Sequence, residues 1–223
     1  MIQMTNIDSY PIEKRNKVRA APKAVYDTKS VYAVLDEGII AQVAFVDDGH
    51  PFVIPMAYGR IENRLYLHGA KATRFFKKMK SAPVSIGVTL VDALVVGRSA
   101  FHSSMNYRSV VAFGKAMEVS NYEDQIAGLT AVTDHLMPGR WEEARPMLEK
   151  EIRATTILVV DIETASFKGR AGQPSDDPDD YGTPYWGGLI PISTSIGIPV
   201  DDGRLVEGVK LPKSVQYRSA LGR

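Results

Sequence analysis

The sequence contains no cysteine among its 223 residues. Disulfide bonds, thiolate nucleophiles and cysteine-ligated metals are therefore excluded. It also lacks any apolar run near the roughly 20 residues that a transmembrane helix needs. The first residues carry no apolar stretch typical of a signal peptide. These absences predict a cytoplasmic protein that has no membrane as a partner.

An excess of charge of one sign is missing as well. The chain has 27 Lys and Arg against 26 Asp and Glu, which gives a formal net charge of +1. Such a balance offers no electrostatic reason to bind nucleic acid, so no nucleic-acid partner is expected. Hydrophobic residues make up 44% of the sequence, which is enough for a substantial core at this length.

The organisation along the chain is that of one domain without internal repeats, predicted over residues 1–223. Residues 1–25 are polar and basic and form an N-terminal arm. Residues 165–223 are rich in Gly, Pro and Asp and form a C-terminal extension, predicted to be mostly loop with one short strand.

Helical periodicity is confined to a few segments. Apolar residues at helical spacing and stop signals predict helices in "DTKSVYAVLDEG", which ends at Gly38, and in "EDQIAGLTAVTDHLM", which ends at Pro138-Gly139. A third helix is predicted in "ATRFFKKMKS", before Pro83. Strands are predicted in "IIAQVAFV", "HPFVIPMAYGRI", "NRLYLHG", "PVSIGVTLVDALVVG", "YRSVVAFGKAMEVS" and "TTILVVDIETASFKG", the last as one strand.

Long strands in antiparallel order, with helices at only a few crossings, predict a mainly β fold that closes or nearly closes into a barrel. A parallel doubly wound sheet would need a helix after nearly every strand. The chain supplies neither those helices nor a G-x-G-x-x-G motif, so a Rossmann fold is rejected.

A strand-to-helix junction, "HGAKATR", is the first candidate site. Gly69 permits a tight turn, and Thr73 with the free N–H groups of the first helical turn can bind a phosphate. Lys71 and Arg74 supply positive charge, and Arg can bind phosphate oxygens in a bidentate way. Because cations oppose the helix dipole at an N-terminus, their presence favours an anion there. The alternative is a basic, solvated first turn.

Two further segments are candidates. The stretch "RSAFHSSMNYRSVVAFG" is dense in hydrogen-bonding groups just before an apolar strand, and its alternative is a long hairpin connection with hydroxyls in water. The stretch "TPYWGGLIP" places Trp186 on a flexible turn, where it could cover a flat ligand. Its alternative is a tryptophan that closes the bottom of a core.

Taken in order, "LDEG", "AFVDDGHPFVIPMAYGR", "LYLHGAKATR", "SAFHSSMNYRSVVAFG", "PGRW" and "TPYWGGLIP" resemble the pyridoxamine 5′-phosphate oxidase-like flavoproteins. Within that superfamily the sequence is most similar to the flavin-nucleotide-binding branch, which includes the nitroimidazole-resistance proteins. The resemblance runs from about Tyr26 to Pro191. It implies an antiparallel split β-barrel that forms a homodimer and binds FMN, with FAD as a possibility, in clefts at the dimer interface.

The resemblance also implies which residues surround the flavin. Trp186, together with Lys168 and Arg170, would reach the flavin bound by the partner subunit. Lys71 departs from the family pattern, in which small residues are common. The full set of cofactor-binding positions is Ile54, Pro55, Met56, Tyr58, His68, Lys71, Thr73, Arg74, Asn106, Tyr107, Arg108, Ser109 and Trp186.

The resemblance implies an FMN-dependent oxidoreductase that reduces a small electrophilic or nitro compound. A flavin carrier or sensor without turnover, and a haem-binding or haem-degrading protein, are the alternatives. Vitamin B6 oxidation is not expected, since "KLPKSVQYRSALGR" lacks the basic substrate-phosphate residues of the true oxidases. No catalytic residue and no metal ligand is assigned. His68 and His102 are the candidates for acid–base chemistry, and either could be structural.

Overall fold

The structure, a computed structural model, describes residues 7–220. Its strands are β1 (Ala24–Val25), β2 (Ile40–Asp47), β3 (His50–Ile61), β4 (Arg64–Ala70), β5 (Pro83–Val96), β6 (Ser104–Glu118), β7 (Thr155–Asp161), β8 (Thr164–Arg170) and β9 (Gly188–Pro191). Its α-helices are α1 (Thr28–Glu37), α2 (Arg74–Met79), α3 (Tyr122–Leu136), α4 (Arg140–Glu143), α5 (Glu149–Ala154) and α6 (Lys213–Ala220). Short 3₁₀ turns lie at Ala21–Lys23 and Pro178–Gly182.

The predicted helices and strands form where local signals are strong. Asp27 caps α1 by accepting a hydrogen bond from the Ser30 N–H at 2.7 Å, and Gly38 ends the helix. In β2, Ala41, Val43 and Phe45 are 0–4% exposed while the residues between them face outward. This period of two is the mark of a strand with one buried face.

The chain divides into two compact units. The first unit contains the chain up to Gly38 together with Ser85–Phe113 and Glu163–Ser193. The second contains Ile39–Val84, Gly114–Ile162 and the described chain from Thr194 onward. The single domain over 1–223 stays a prediction.

In the first unit, β8 lies between two antiparallel neighbours. It pairs with β1, where Ala24 is opposite Lys168, and with β6 from Tyr107 opposite Arg170 to Phe113 opposite Thr164. Strand β5 pairs with β9, with Ala93 opposite Pro191. Each pair confirms the predicted antiparallel order.

The second unit is a meander of hydrogen-bonded strands. Strand β2 pairs with β3, β3 with β4, and β4 with β7, all antiparallel. The end of β6 also pairs with β7, where Ala116 lies opposite Val160. The mainly β, antiparallel fold predicted from the sequence is confirmed in this unit too.

Helix α3 covers one face of this meander. Its buried residues Leu129 and Val132 pack with Tyr66, Val119 and Ile157, all at most 7% exposed. A Cβ atom added to Gly59 in β3 would lie 2.3 Å from the backbone carbon of Ala131 in α3. The absence of a side chain at Gly59 therefore allows the strand to approach the helix backbone directly.

One sequence-based expectation about these elements was wrong, and one helix was not predicted. "TTILVVDIETASFKG" is two strands, because the chain turns at Ile162 and Glu163, whose N–H groups donate to Asn63 and Phe113 carbonyls. The C-terminal extension contains the predicted short strand, β9, but also helix α6. That helix begins where Glu143, distant in sequence, accepts hydrogen bonds from the Lys213 and Ser214 N–H groups.

Within residues 7–220, no helix is both long and apolar enough to cross a membrane.

We expect Gly59→Ala to lower the free energy of unfolding by about 3 kcal/mol or more, because the helix backbone cannot yield to the added methyl group. Chemical denaturation would measure the change. Gly182→Ala is the matched control, since no described atom lies within 4 Å of its added Cβ. A Gly59→Ala variant as stable as the control would contradict the contact with α3.

Candidate cofactor site

The predicted site residues fall on both units. Ile54, Pro55, Met56, Tyr58, His68, Lys71, Thr73 and Arg74 lie in the second unit. Asn106, Tyr107, Arg108, Ser109 and Trp186 lie in the first.

Strand β3 presents its predicted flavin-contacting residues to opposite faces. Ile54 and Met56 lie opposite Val43 and Ala41, on the buried side of the β2–β3 hairpin. Pro55 lies on the other side and is exposed. Tyr58 is 0% exposed, with its ring centroid 4.6 Å from that of His135. Pro55, and not the Tyr58 side chain, is therefore the accessible part of this segment.

The junction between β4 and α2 has the hydrogen-bonding geometry of a tight turn. The Lys71 N–H donates to the Ala154 carbonyl at 2.8 Å, and the Thr73 N–H donates to the Ala70 carbonyl at 2.8 Å. Thr73 is the N-cap residue of α2, yet its hydroxyl makes no capping hydrogen bond within the described residues. The hydroxyl is therefore available to a ligand.

The charge at this junction is positive. Arg74 is 75% exposed, and its Nη2 lies 3.7 Å from one oxygen of Asp47, while Lys78 Nζ lies 3.0 Å from the other. The first turn of α2 holds no acidic residue, and Lys71 precedes it. One aspartate thus faces several cations, so an anion would be stabilised here. Binding of a phosphate remains a prediction.

His68 lies near the end of β4 and counts among its exposed residues. Its neighbours still remove enough water from the ring to lower the pKa of its imidazole below the ordinary 6.5. The neutral form is therefore the stable one at neutral pH, and a neutral imidazole is the form that binds a metal ion.

A cavity of about 280 Å³ opens beside Lys71 in the second unit. Tyr122, Gln125, Arg153 and Thr155 are among its lining residues. The Arg153 guanidinium is already paired with Glu149, at 2.6 Å. The lining therefore combines hydrogen-bonding groups and an exposed aromatic ring with the positive charge of Lys71.

In the first unit, the start of β6 is tied to β8 and the loop that follows it. Asn106, 6% exposed, donates to the Gly172 carbonyl at 3.1 Å and accepts a hydrogen bond from Arg170. The Ser109 hydroxyl donates to the Lys168 carbonyl at 3.1 Å. The Tyr107 ring centroid lies 5.8 Å from Lys168 Nζ. The polar side chains of this segment therefore form hydrogen bonds mainly with other residues of the first unit.

Arg108 is held between two carboxylates. Its guanidinium donates to Glu37 and, at 2.8 Å and 3.2 Å, to the two oxygens of Asp92. The hydrogen bonds that Arg108 donates to Glu37 and then to Asp92 raise its pKa above the ordinary value. The predicted contact of Arg108 with a cofactor or a dimer interface would have to compete with these two partners.

The turn that carries Trp186 is organised by an ion pair that the sequence analysis missed. The Asp176 side chain is 0% exposed and accepts hydrogen bonds from the Arg98 N–H at 2.8 Å and from Nη1 at 2.9 Å. Burial raises the pKa of Asp176, but the hydrogen bonds from Arg98 outweigh that effect and lower it overall. A Cβ on Gly187 would lie 2.7 Å from Arg98 Nη1, so the turn packs directly on this guanidinium.

Trp186 itself is 63% exposed, which excludes the alternative of a core tryptophan in its unit. Arg98 also lies 4.6 Å from the Tyr181 ring centroid, and its buried Nε has no hydrogen-bond partner among the described residues. No sequence signal distinguished Asp176 from the other aspartates of "SDDPDD", because only tertiary packing decides which one is buried. Coverage of a partner's flavin by Trp186 stays a prediction.

His102 lies in the same unit and faces acidic groups. Its Nδ1 is 3.0 Å from the Ser99 hydroxyl. Ligand atoms of His102, Asp177 and Asp180 lie within 4.8 Å of one another, a spacing that could hold a metal ion. Acidic clusters commonly form without a metal ion, and no metal ligand was predicted here from the sequence.

Several known proteins are similar to this chain in sequence and structure. A family model described as pyridoxamine 5'-phosphate oxidase matches residues 27–169. The flavocytochrome Anf3 from Azotobacter vinelandii is 37% identical, with 92% of this chain and 97% of that one covered and a TM-score of 0.87. An FAD and haem binding protein from Mycobacterium smegmatis is 33% identical, with 88% and 97% covered and a TM-score of 0.84.

A protein from Bacteroides thetaiotaomicron named for 5-nitroimidazole antibiotic resistance shares the fold, at 19% identity and a TM-score of 0.54, with 65% of this chain and 85% of that one covered. Curated protein sequences give no match. The predicted split-barrel fold class is confirmed by these similarities. The family model and the two more similar structures together show that the chain belongs to the pyridoxamine 5'-phosphate oxidase family.

Proposed function

We propose that this protein binds both a flavin and a haem and acts as an oxidoreductase that transfers electrons between them. The observation that carries the proposal is the similarity to two solved proteins at 37% and 33% identity, each aligned over nearly its whole length. One is a flavocytochrome, and the other binds FAD and haem. The sequence resemblance alone favoured a flavin and left haem as an alternative.

The β4–α2 junction fits the phosphate of a flavin nucleotide. Lys71 and Arg74 provide positive charge there, and the Thr73 hydroxyl is available. The flavin supplies hydride and electron transfer when bound, while the protein sets its orientation and the access of water. In this chain the exposed segment around Pro55 would orient the ring, and the cations would hold the phosphate.

FAD suits the chain better than the FMN expected from the sequence. The relative from Mycobacterium smegmatis binds FAD. The cavity beside Lys71, about 280 Å³ in volume, would accept the adenosine of the additional AMP group, because Tyr122 offers an exposed ring for stacking and Gln125 offers hydrogen bonds. We therefore propose that FAD is the bound flavin.

Haem iron is commonly held by a histidine, and His68 is the best candidate among the chain's four histidines. Its imidazole is neutral near pH 7, since burial lowers its pKa, and it is open to a ligand. His135 packs against the Tyr58 ring. His102 is engaged within its own unit, with its Nδ1 3.0 Å from the Ser99 hydroxyl and 3.9 Å from an Asp176 oxygen. We assign His68 as the candidate iron ligand.

Reduction of a small electrophilic or nitro compound is the function that the sequence resemblance implied, and it would use the same flavin. Oxidation of NADH or NADPH in the presence of a nitro compound would test this activity. A protein that binds its cofactors but passes no electrons to any acceptor would instead be a carrier or sensor.

A visible spectrum of the purified protein tests the proposed function. We expect a flavin band and a haem Soret band together, with FAD identified by chromatography after extraction. Protein grown or reconstituted with both cofactors is the sample, so that poor loading does not mimic absence. A flavin band without a Soret band after reconstitution would reject haem binding. A Soret band without a flavin band would reject flavin binding.

We expect His68→Ala to lose the Soret band and to retain the flavin, because the neutral imidazole is the proposed iron ligand. The measurement is the ratio of haem to flavin after reconstitution. His102→Ala is the control and should retain both. If His68→Ala instead loses flavin and keeps haem, His68 serves the phosphate and ribityl chain, as the sequence resemblance implied.

Removing Lys71 and Arg74 together should weaken flavin binding by about 2 kcal/mol or more, since charge-assisted hydrogen bonds contribute ~1.5–3 kcal/mol each and solvent screens exposed charges. Titration of the apoprotein with FAD would measure it. Lys77→Ala with Lys80→Ala removes the same charge from the same region and should change affinity far less. Equal losses in both double variants would leave general electrostatics, not a phosphate site, as the explanation.

A further inference from the structure

Another cavity, about 500 Å³ in volume, opens beside α3 in the second unit, and we call it the tryptophan cavity. Its lining comes from α3, α4, α5 and residues 144–148, which connect α4 to α5. Prominent lining residues are Ile126, Thr133, Trp141, Pro146, Met147 and Ile152. The volume lies within the ~300–1,000 Å³ that is typical of small-molecule sites.

One wall of the tryptophan cavity is a face of α3. Tyr122, Ile126 and Thr133 are spaced by four and seven residues, so their side chains lie on the same side of the helix. This face borders the stripe of α3 that packs on the meander through Leu129 and Val132. The cavity therefore lies at the edge of a packed core, which gives it a fixed floor.

The facing wall is held in place by its own hydrogen bonds. The Trp141 N–H donates to the Asp134 carboxylate at 2.9 Å. Arg145 donates to the two oxygens of Glu151 at 2.6 Å and 3.0 Å, and the Leu148 N–H donates to the same carboxylate at 2.8 Å. Because these bonds form without a ligand, the wall is already shaped before anything binds.

The chemistry of the lining favours an aromatic ligand. Trp141 and Met147 are partly buried, and each packs against the core while also lining the cavity. Tyr122 adds a second aromatic ring. Aromatic side chains gain energy beyond area burial from stacked or edge-on contact with another ring, and a thioether sulfur also makes favourable contacts with rings. An aliphatic ligand of the same area would gain neither.

The charge of the lining favours a neutral ligand. Among the described residues around the cavity, the ionised side chains are those of Glu142 and Arg145, and both residues are exposed. Arg145 is already bonded to Glu151. A charged group deep in the cavity would therefore be buried without a partner, which is costly.

We propose that the tryptophan cavity binds a small, neutral, planar aromatic molecule of two or three fused rings. Such a ligand would cover the sides of Trp141 and Met147 that the core leaves open. The cavity beside Lys71 shares Tyr122 and Ile152 with this one, so the two sites are neighbours. Ile126, Trp141 and Ala144 line the tryptophan cavity but not the cavity beside Lys71. The proposal does not depend on which cofactor the protein binds.

Calorimetric titration of the cofactor-loaded protein tests binding, with 2-naphthol as the neutral probe. We expect one molecule to bind per chain, with a Kd on the order of 100 µM, as suits a compound of this size. The anion 2-naphthoate has the same ring system and is the control for charge. Its Kd should be at least about tenfold higher, because its carboxylate would be buried unpaired.

Fluorine NMR locates the bound probe without altering the cavity. The chain has two tryptophans, so protein labelled with fluorotryptophan gives two resonances, and Trp186→Phe assigns them. Addition of 2-naphthol to the loaded protein should shift the Trp141 resonance, because ring currents act over short distances. The Trp186 resonance should stay in place.

Two variants fill the cavity from different walls. Ala144→Phe and Ile126→Trp should each raise the Kd of 2-naphthol at least about tenfold, because their added rings occupy the space of the ligand. Both should keep the flavin and haem content of the wild type. Ala127→Phe is the matched control, since Ala127 is exposed on α3 and does not line this cavity. It should bind the probe as the wild type does.

Each of four results would overturn the proposal. They are absence of saturable binding to the loaded wild type, equal affinity for 2-naphthoate, an unmoved Trp141 resonance, and filling variants that bind as tightly as Ala127→Phe. If a filling variant does not fold, the NMR shift decides. Probe binding is measured separately from the flavin and Soret bands, so failure here is distinguishable from failure of the proposed function.

Discussion

The contact between β3 and α3 at Gly59 is the constraint on which the second unit depends. A strand can lie against a helix backbone only where no side chain separates them, and Gly59 meets that condition against Ala131. The register of β3 with β4 then places Tyr66 against α3 and His68 two residues further along the same face. From there the chain continues into the basic junction before α2. The position of the candidate cofactor site therefore follows from one close backbone contact.

Two clusters of charge, one in each unit, are handled in opposite ways. In the first unit, cations are matched: Arg108 lies between Glu37 and Asp92, and Arg98 is paired with the buried Asp176. At the β4–α2 junction of the second unit, cations outnumber their acidic partner, Asp47. Since unmatched charge near a helix N-terminus favours an anion, this difference indicates where a phosphate group would bind and where arginines serve mainly to hold the structure together.

Much of the fold was predictable because its signals are local. The strand period of two in β2 and β3 and the stop at Gly38 each depend on a few neighbouring residues. The corner at Ile162 and Glu163 was not predictable, since those two N–H groups bond to strands far away in sequence. Helix α6 was missed for the same reason, because its cap is Glu143. Among the site residues, the basic junction was visible in the sequence, whereas the buried role of Tyr58 was not.

By itself, the sequence determined the fold class, the segments that form most strands and helices, and the clustering of phosphate-compatible groups in "HGAKATR". Each depends on the chemistry of residues that are close along the chain. Tertiary structure alone decided that Asp176 is the buried aspartate, that Arg108 is engaged by two carboxylates, and that Tyr58 is fully buried. Burial and ion pairing depend on which distant segments meet, and a linear pattern of residue types does not contain that information.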